Sequence, residues 1–417
     1  MTLTIVLIIA ILAGFYMAWN IGANDVANAM GTVVGSGALT FRKAIVLAAV
    51  FEFCGAFFVG SNVAQTIRKD IVPVEAFQDS AEIFAIGMLA ALLAAALWLN
   101  VATFLGQPVS TTHAIIGAVV GFAAAAVGPG AIRWSKLGFI ALSWIVSPVA
   151  GGVLGYLSYR CVRGFILRSR HPIFMAKRVV PLAFGAVVCI FSLSIVYKGM
   201  PRLRLDLPLW KALPVAVMLG LLSTAVALSV IHRRTRNQRV RLNQRYETVE
   251  RWFSRLQLIT ACYMAFAHGA NDVANAIGPL AGTLHVAMGG SVMAQTVVPP
   301  WLLAFGGVGI VIGLATYGHK VIEAVGKKIT EITPTRGFSA EFGTATTVLV
   351  CSKMGLPVST TFVLVGAVMG VGIARGFGAI DLRTVRRIFA SWIVTIPVSA
   401  VLAAVIFYVL KALLVGG

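Results

Sequence analysis

The chain is a series of apolar stretches of about membrane length joined by short polar links. Twelve segments qualify, at about 3–31, 43–61, 82–105, 109–127, 137–159, 179–197, 211–231, 257–282, 298–318, 338–353, 357–374 and 388–413. Each approaches the roughly 20 apolar residues a helix needs to cross a bilayer. With 59% hydrophobic and 12% charged residues among 417, a water-soluble fold has too little polar surface to cover the rest. The expected fold is therefore an all-α membrane protein with lipid as its main solvent. The apolar N-terminus has no basic leader region and reads as a retained first span. Five scattered cysteines form no CxxC pair, so neither a disulfide framework nor a thiolate metal site is expected.

The formal charge of +20 would suit a nucleic-acid binder, but its distribution does not. Basic residues gather in links on one side when the N-terminus is placed outside. The inner links hold Arg42 and Lys43, Arg160 to Arg178, the Arg233–Arg255 run, Lys320 to Arg336, and Arg375 to Arg387. The first outer link carries Asp70, Glu75 and Asp79 against Arg68 and Lys69. This is the positive-inside pattern of an inner-membrane protein, with both termini outside and no nucleic-acid partner. The link 198–211, with Lys198, Arg202, Arg204 and Lys211, falls on the wrong side, and the remaining bias outweighs it.

Internal repetition sets the organisation. Residues 22–31 read GANDVANAMG and 269–278 read GANDVANAIG; PVSTT occurs at 108–112 and again at 357–361. The copies lie 247 and 249 residues apart, in the same order. Residues 1–160 make the first repeat, 161–256 two connecting spans with a short basic loop at about 232–256, and 257–417 the second repeat. Five segments per repeat is an odd number, so the second repeat is inverted relative to the first, as in transporters with a midplane site. If the PVSTT segments only dipped in and returned, the count would be four and the copies parallel.

Asp25 and Asp272 sit mid-segment, where a carboxylate needs cations, hydrogen bonds or a proton. One such Asp can simply cap a broken helix; two in matching contexts point to a site. Asn24 and Asn28, and Asn271 and Asn275, place amide oxygens beside them at helical spacing, a set suited to a hard cation such as Na⁺ or to a polar solute. The flanking Gly22, Gly31, Gly269 and Gly278 permit unwinding or close packing. Ser110, Thr111 and Thr112 follow Pro108, and Ser359, Thr360 and Thr361 follow Pro357, so each PVSTT joins hydroxyls to a helix N-terminus. A single such motif reads as ordinary N-capping; two approaching from opposite faces read as an anion cradle. Neither motif contains Lys or Arg, so an anion next to these carboxylates requires co-bound Na⁺, H⁺ or a metal, or must donate a proton itself. Phosphate carries such a proton at neutral pH and sulfate does not, which favours phosphate. Glu52 and Glu341 are further cation or proton ligands, or partners of a basic residue. His113 and His268 adjoin the motifs and read as packing or hydrogen-bonding residues, with a proton relay as the alternative. Gln107, ahead of Pro108, is within reach of the substrate.

GANDVANAMGTVVGSGALT, FEFCGA and GQPVSTTHAIIGA, with HGANDVANAIGPLAG and GLPVSTTFVLVGAVMG, resemble the inorganic phosphate transporter (PiT) family over most of the chain. The resemblance implies a phosphate symporter of about twelve helices, with inverted repeats, broken or hairpin helices and a homodimeric assembly. It implies that Asp25, Asn28, Ser110, Thr111, Thr112 and their counterparts Asp272, Asn275, Ser359, Thr360 and Thr361 bind phosphate and its coupling ions. Glu52 and Glu341 match the sodium-coupled members; Phe362 stands where many members have histidine. The function expected is phosphate uptake coupled to Na⁺, with H⁺ coupling, a sulfate permease and a passive anion channel as the alternatives. No cofactor is expected, and no nucleophile–base pair or HxxxH spacing points to an enzyme.

Overall fold

The computed structural model describes residues 2–61, 63–64, 71, 74–77, 80–197, 207–235, 244–289, 298–318, 331–376, 378 and 381–414. Among these are twelve α-helices: α1 (Thr2–Gly35), α2 (Phe41–Val59), α3 (Ala81–Phe104), α4 (Thr111–Ala126), α5 (Trp134–Val162), α6 (Pro172–Val196), α7 (Leu209–Thr235), α8 (Arg245–Ala287), α9 (Pro300–Tyr317), α10 (Pro334–Lys353), α11 (Thr360–Arg375) and α12 (Leu382–Leu414). Seven are long and apolar enough to cross a membrane. Large side chains such as Ile145, Leu221 and Ile393 point outward, as lipid-facing positions do. Of the charges used to orient the chain, Arg68, Lys69, Asp70, Asp79, Lys198, Arg202, Arg204, Arg236, Arg239, Arg241, Lys320, Lys327 and Lys328 lie outside the described residues.

Two expectations change. The basic loop 232–256 is shorter than expected, because α8 begins at Arg245 and buries Val249, Trp252, Phe253 and Leu256. The helices carrying GANDVAN do not unwind at their glycines: α1 and α8 run unbroken through the motif. Gly22 and Gly269 serve close packing instead. A Cβ on Gly22 would run into the Ile310 carbonyl of α9, and one on Gly269 into the Glu52 carbonyl of α2. The first helix of each copy thus lies backbone to backbone on the second helix of the other, the packing that membrane helices reach through small residues.

The breaks fall at PVSTT. α3 ends in a left-handed turn at Gly106 (φ 65°) and α10 in one at Gly355 (φ 70°). In both, the next N–H closes back on the last turn: Gln107 N donates to Ala102 O at 2.9 Å and Leu356 N to Cys351 O at 2.9 Å. Proline follows, and Ser110 and Ser359 cap the next helix by accepting from His113 N (3.1 Å) and Phe362 N (3.3 Å). α3 with α4, and α10 with α11, are therefore hairpins whose open ends close on themselves. Arg133 N donates to Ile71 O at 3.2 Å and Phe77 meets Phe122 at the mouth of the first; Glu331 lies 3.5 Å from Arg375 at the mouth of the second. Each copy thus holds five helices, two of them joined as a hairpin at PVSTT. α4 runs along α12 (Gly117 at Ile396, Gly121 at Ala400), and α11 runs along α5 (Val363 at Gly151, Ala367 at Gly155). Each hairpin is held by the last helix of the other copy.

Candidate functional site

The two hairpin tips meet inside the bundle between α1 and α8. Their irregular backbone is buried in protein, and side chains satisfy it. Asn24 donates to Gln107 O (3.2 Å) and accepts from Val109 N (3.2 Å). Asn271 donates to Val358 O (2.8 Å), Thr112 lies 3.2 Å from the same carbonyl, and Trp144 donates to Pro357 O (3.2 Å). Gln107 enters through its carbonyl; its side chain is half-buried.

The motif side chains cross between copies. Asn28 Nδ2 bonds Asp25 Oδ1 (2.8 Å) and Thr361 of the second hairpin (2.8 Å), with Thr360 at 3.5 Å. Asn275 Nδ2 lies 3.2 Å from Asp272 Oδ1 and 3.2 and 3.3 Å from Thr111 and Thr112 of the first hairpin. Thr360 donates to Asp272 Oδ2 (3.0 Å), and Thr361 lies 3.3 Å from Asp25 Oδ1. Asp25, Asp272, Asn28, Asn275 and the four threonines are thus brought together, all no more than 2% exposed. Ser110 and Ser359 stand one residue behind them as helix caps.

His268, one turn before Asp272 on α8, proves central. Its Nε2 lies 3.0 Å from Asp272 Oδ2 and 3.9 Å from Asp25 Oδ2, and its Nδ1 lies 3.2 Å from Glu52 Oε1. Three carboxylates around one imidazole, at 0–1% exposure, leave a net negative charge even with the imidazole protonated. Such a set is stable only with cations or further protons. Ligand atoms of Asp25, His268 and Asp272 lie within 4.8 Å of one another, close enough to share one ion. Asp25 Oδ2 and Asn28 Oδ1 are buried acceptors with no hydrogen-bond partner, oxygens free for a cation.

Glu341 lies elsewhere. It accepts from Thr32 (2.6 Å), Gln257 (2.9 Å) and Thr260 (2.5 Å), in a cluster seven residues, about 10 Å, along α1 from Asp25. His113 packs its ring against Trp144 (3.8 Å between centroids) and Phe362 (4.3 Å), outside the polar set. Sequence reasoning missed the Glu341 partners, which no motif marks, and the position of His268 between three carboxylates.

The match to known proteins follows the same residues. A model of the phosphate transporter family covers residues 21–403, which include both tips and both GANDVAN helices. The chain belongs to the phosphate transporter family. It is a multi-pass membrane transporter, not an enzyme. It is 45% identical to a putative phosphate permease of Pyrococcus furiosus, over 98% of this chain and 97% of that one. It is 44% identical to the chloroplastic inorganic phosphate transporter 2-1 of Arabidopsis thaliana, over 97% of this chain and 72% of that one. A solved structure titled as the sodium-dependent phosphate transporter superposes with a TM-score of 0.90 at 42% identity, covering 97% of this transporter and 99% of that chain.

Proposed function

We propose that this transporter takes up inorganic phosphate by symport with Na⁺. The observation that carries the reading is the pairing of Asp25 Oδ2 and Asn28 Oδ1, buried and without hydrogen-bond partners, with threonine hydroxyls at two opposed helix N-termini. The carboxylates and amide oxygens offer the hard-oxygen set that Na⁺ takes; the hydroxyls and free N–H groups suit an oxyanion. Cations between carboxylate and phosphate remove the repulsion that otherwise bars the anion. A protonated phosphate oxygen can also donate to an acceptor where sulfate cannot. The sodium dependence named for the structural neighbour supports Na⁺ as the coupling ion.

In this reading Asp25, Asp272, Glu52 and the side-chain oxygen of Asn28 hold cations, and Asn275, Thr111, Thr112, Thr360 and Thr361 hold phosphate, with Ser110 and Ser359 keeping the helix starts in place. Glu341 serves a separate cation or proton. Residues 1–160 and 257–417 are inverted repeats joined by 161–256, and alternating access comes from rocking one against the other. On the same reading each hairpin enters and returns, which leaves three crossings per repeat, an odd number that keeps the copies inverted. The protein, in this reading, sits in the inner membrane as a homodimer with both termini outside. Labelled phosphate and sulfate uptake into proteoliposomes with independently set Na⁺ and H⁺ gradients tests the function. Phosphate accumulation driven by Na⁺ alone is expected. Accumulation driven by H⁺ alone, or preference for sulfate, overturns it.

A further inference from the structure

The two asparagines of each GANDVAN are chemically alike and one helical turn apart, yet their partners differ in kind. Asn28 and Asn275 reach the hairpin of the other copy. Asn24 and Asn271 bond the hairpin of their own copy. Asn24 Nδ2 donates to Thr103 Oγ1 (2.9 Å) and Gln107 O (3.2 Å), while its Oδ1 accepts from Val109 N (3.2 Å). Asn271 Nδ2 donates to Val358 O (2.8 Å) and to Asp272 Oδ1 (3.0 Å), and Ser352 Oγ lies 3.2 Å from its Oδ1. Both amides are 1% exposed. Thr103 and Ser352 each stand five residues before the proline of their tip, so a hydroxyl meets each asparagine at the same place, accepting from Asn24 Nδ2 in the first copy and donating to Asn271 Oδ1 in the second.

We infer that Asn24 and Asn271 are positioning residues, not cation ligands: each ties a GANDVAN helix to the tip of its own hairpin. The chemistry is specific. An asparagine used as a cation ligand offers only its oxygen, and aspartate does the same at least as well. A tie to a backbone carbonyl needs the amide N–H groups, which aspartate lacks. The oxygen of Asn24 already accepts the Val109 N–H, a group that otherwise has no partner at that depth. Each GANDVAN helix and its own tip form one unit. Contacts between the units, Asn28 to Thr361 and Asn275 to Thr111 and Thr112, are the ones that exchange as the substrate is passed across.

The inference rests on the phosphate reading for its transport readout and is independent of it in a second one. Asn24→Asp, Thr103→Val and Thr103→Ser variants of the full chain are reconstituted for phosphate uptake, and amide exchange is followed in the peptide spanning 104–110. Asn24→Asp and Thr103→Val are expected to raise the half-saturating phosphate concentration at least fivefold, with the Na⁺ half-saturation measured at saturating phosphate unchanged. Both are expected to speed exchange in 104–110, and Thr103→Ser to restore both readouts. Thr103 touches no group of the ion cluster, so its variant decides the matter if Asn24→Asp does not fold. Unaltered exchange and uptake in Thr103→Val, or a change in Na⁺ half-saturation alone in Asn24→Asp, overturns the tie. If wild-type vesicles take up no phosphate, the functional reading fails, while exchange still reports on the tie.

Discussion

Replacing Asp25 with Asn removes one charge while keeping shape. Asn28 Nδ2 donates to Asp25 Oδ1 at 2.8 Å, so the oxygen of the new amide stays there and its NH₂ takes the place of Oδ2. That position is a buried acceptor without a hydrogen-bond partner in the native site. A cation held there loses a full countercharge and meets a donor. A unit charge pair at about 4 Å and an effective dielectric constant near 20 is worth about 4 kcal/mol; relaxation of the site brings the loss to roughly 2–4 kcal/mol. The half-saturating Na⁺ concentration is expected to rise roughly 30- to 1,000-fold. Insertion should not suffer, because a neutral amide is cheaper to bury in a bilayer than a carboxylate. The assay is labelled phosphate uptake against external Na⁺ in proteoliposomes, normalised to monodisperse protein. A Na⁺ dependence equal to wild type would refute the assignment of Asp25 as a cation ligand.

Thr360→Val with Thr361→Val removes two hydroxyls without changing volume. At about 1.5–3 kcal/mol per hydrogen bond to a charged partner, two lost bonds should raise the half-saturating phosphate concentration roughly a hundredfold or more, and an unchanged value would remove the second hairpin tip from the substrate site. Gly269→Ala drives a Cβ into the Glu52 carbonyl and should lower stability by about 1–3 kcal/mol, read as a lower thermal midpoint in detergent. Gly138→Ala, whose Cβ meets nothing within 4 Å, is the control that should not move. His113→Phe removes two ring nitrogens that have no hydrogen-bond partner and keeps the stacking on Trp144, so transport should persist; its loss would place His113 in the mechanism.

The repeat made much of this architecture legible. Two copies of GANDVAN and PVSTT located the site because mid-membrane polar groups are too costly to keep without a use, and twelve apolar stretches matched twelve helices. What was not legible depends on partners far along the chain. PVSTT marks a turn, but whether its two arms cross the membrane or fold back is set by contacts such as Arg133 to Ile71, which no local pattern encodes. Asn24 and Asn28 look interchangeable in sequence and share a face of α1; their heights along the helix, one turn apart, bring one to its own hairpin and the other to the opposite one. His268 resembles a packing histidine until α2 brings Glu52 against it from more than 200 residues away. The glycines of GANDVAN suited either unwinding or close packing; carbonyls of α9 and α2 approach Gly22 and Gly269 too closely for any Cβ, and that decides for packing at these two, with the helices intact.

The account turns on cations that join acidic side chains to an oxyanion, so phosphate and Na⁺ must bind as linked ligands. Equilibrium dialysis of labelled phosphate against the purified transporter, with Na⁺ exchanged stepwise for choline at constant ionic strength, measures that linkage directly. Phosphate affinity should climb with Na⁺, by roughly tenfold or more between trace and saturating levels. An affinity that stays flat across the series would contradict it.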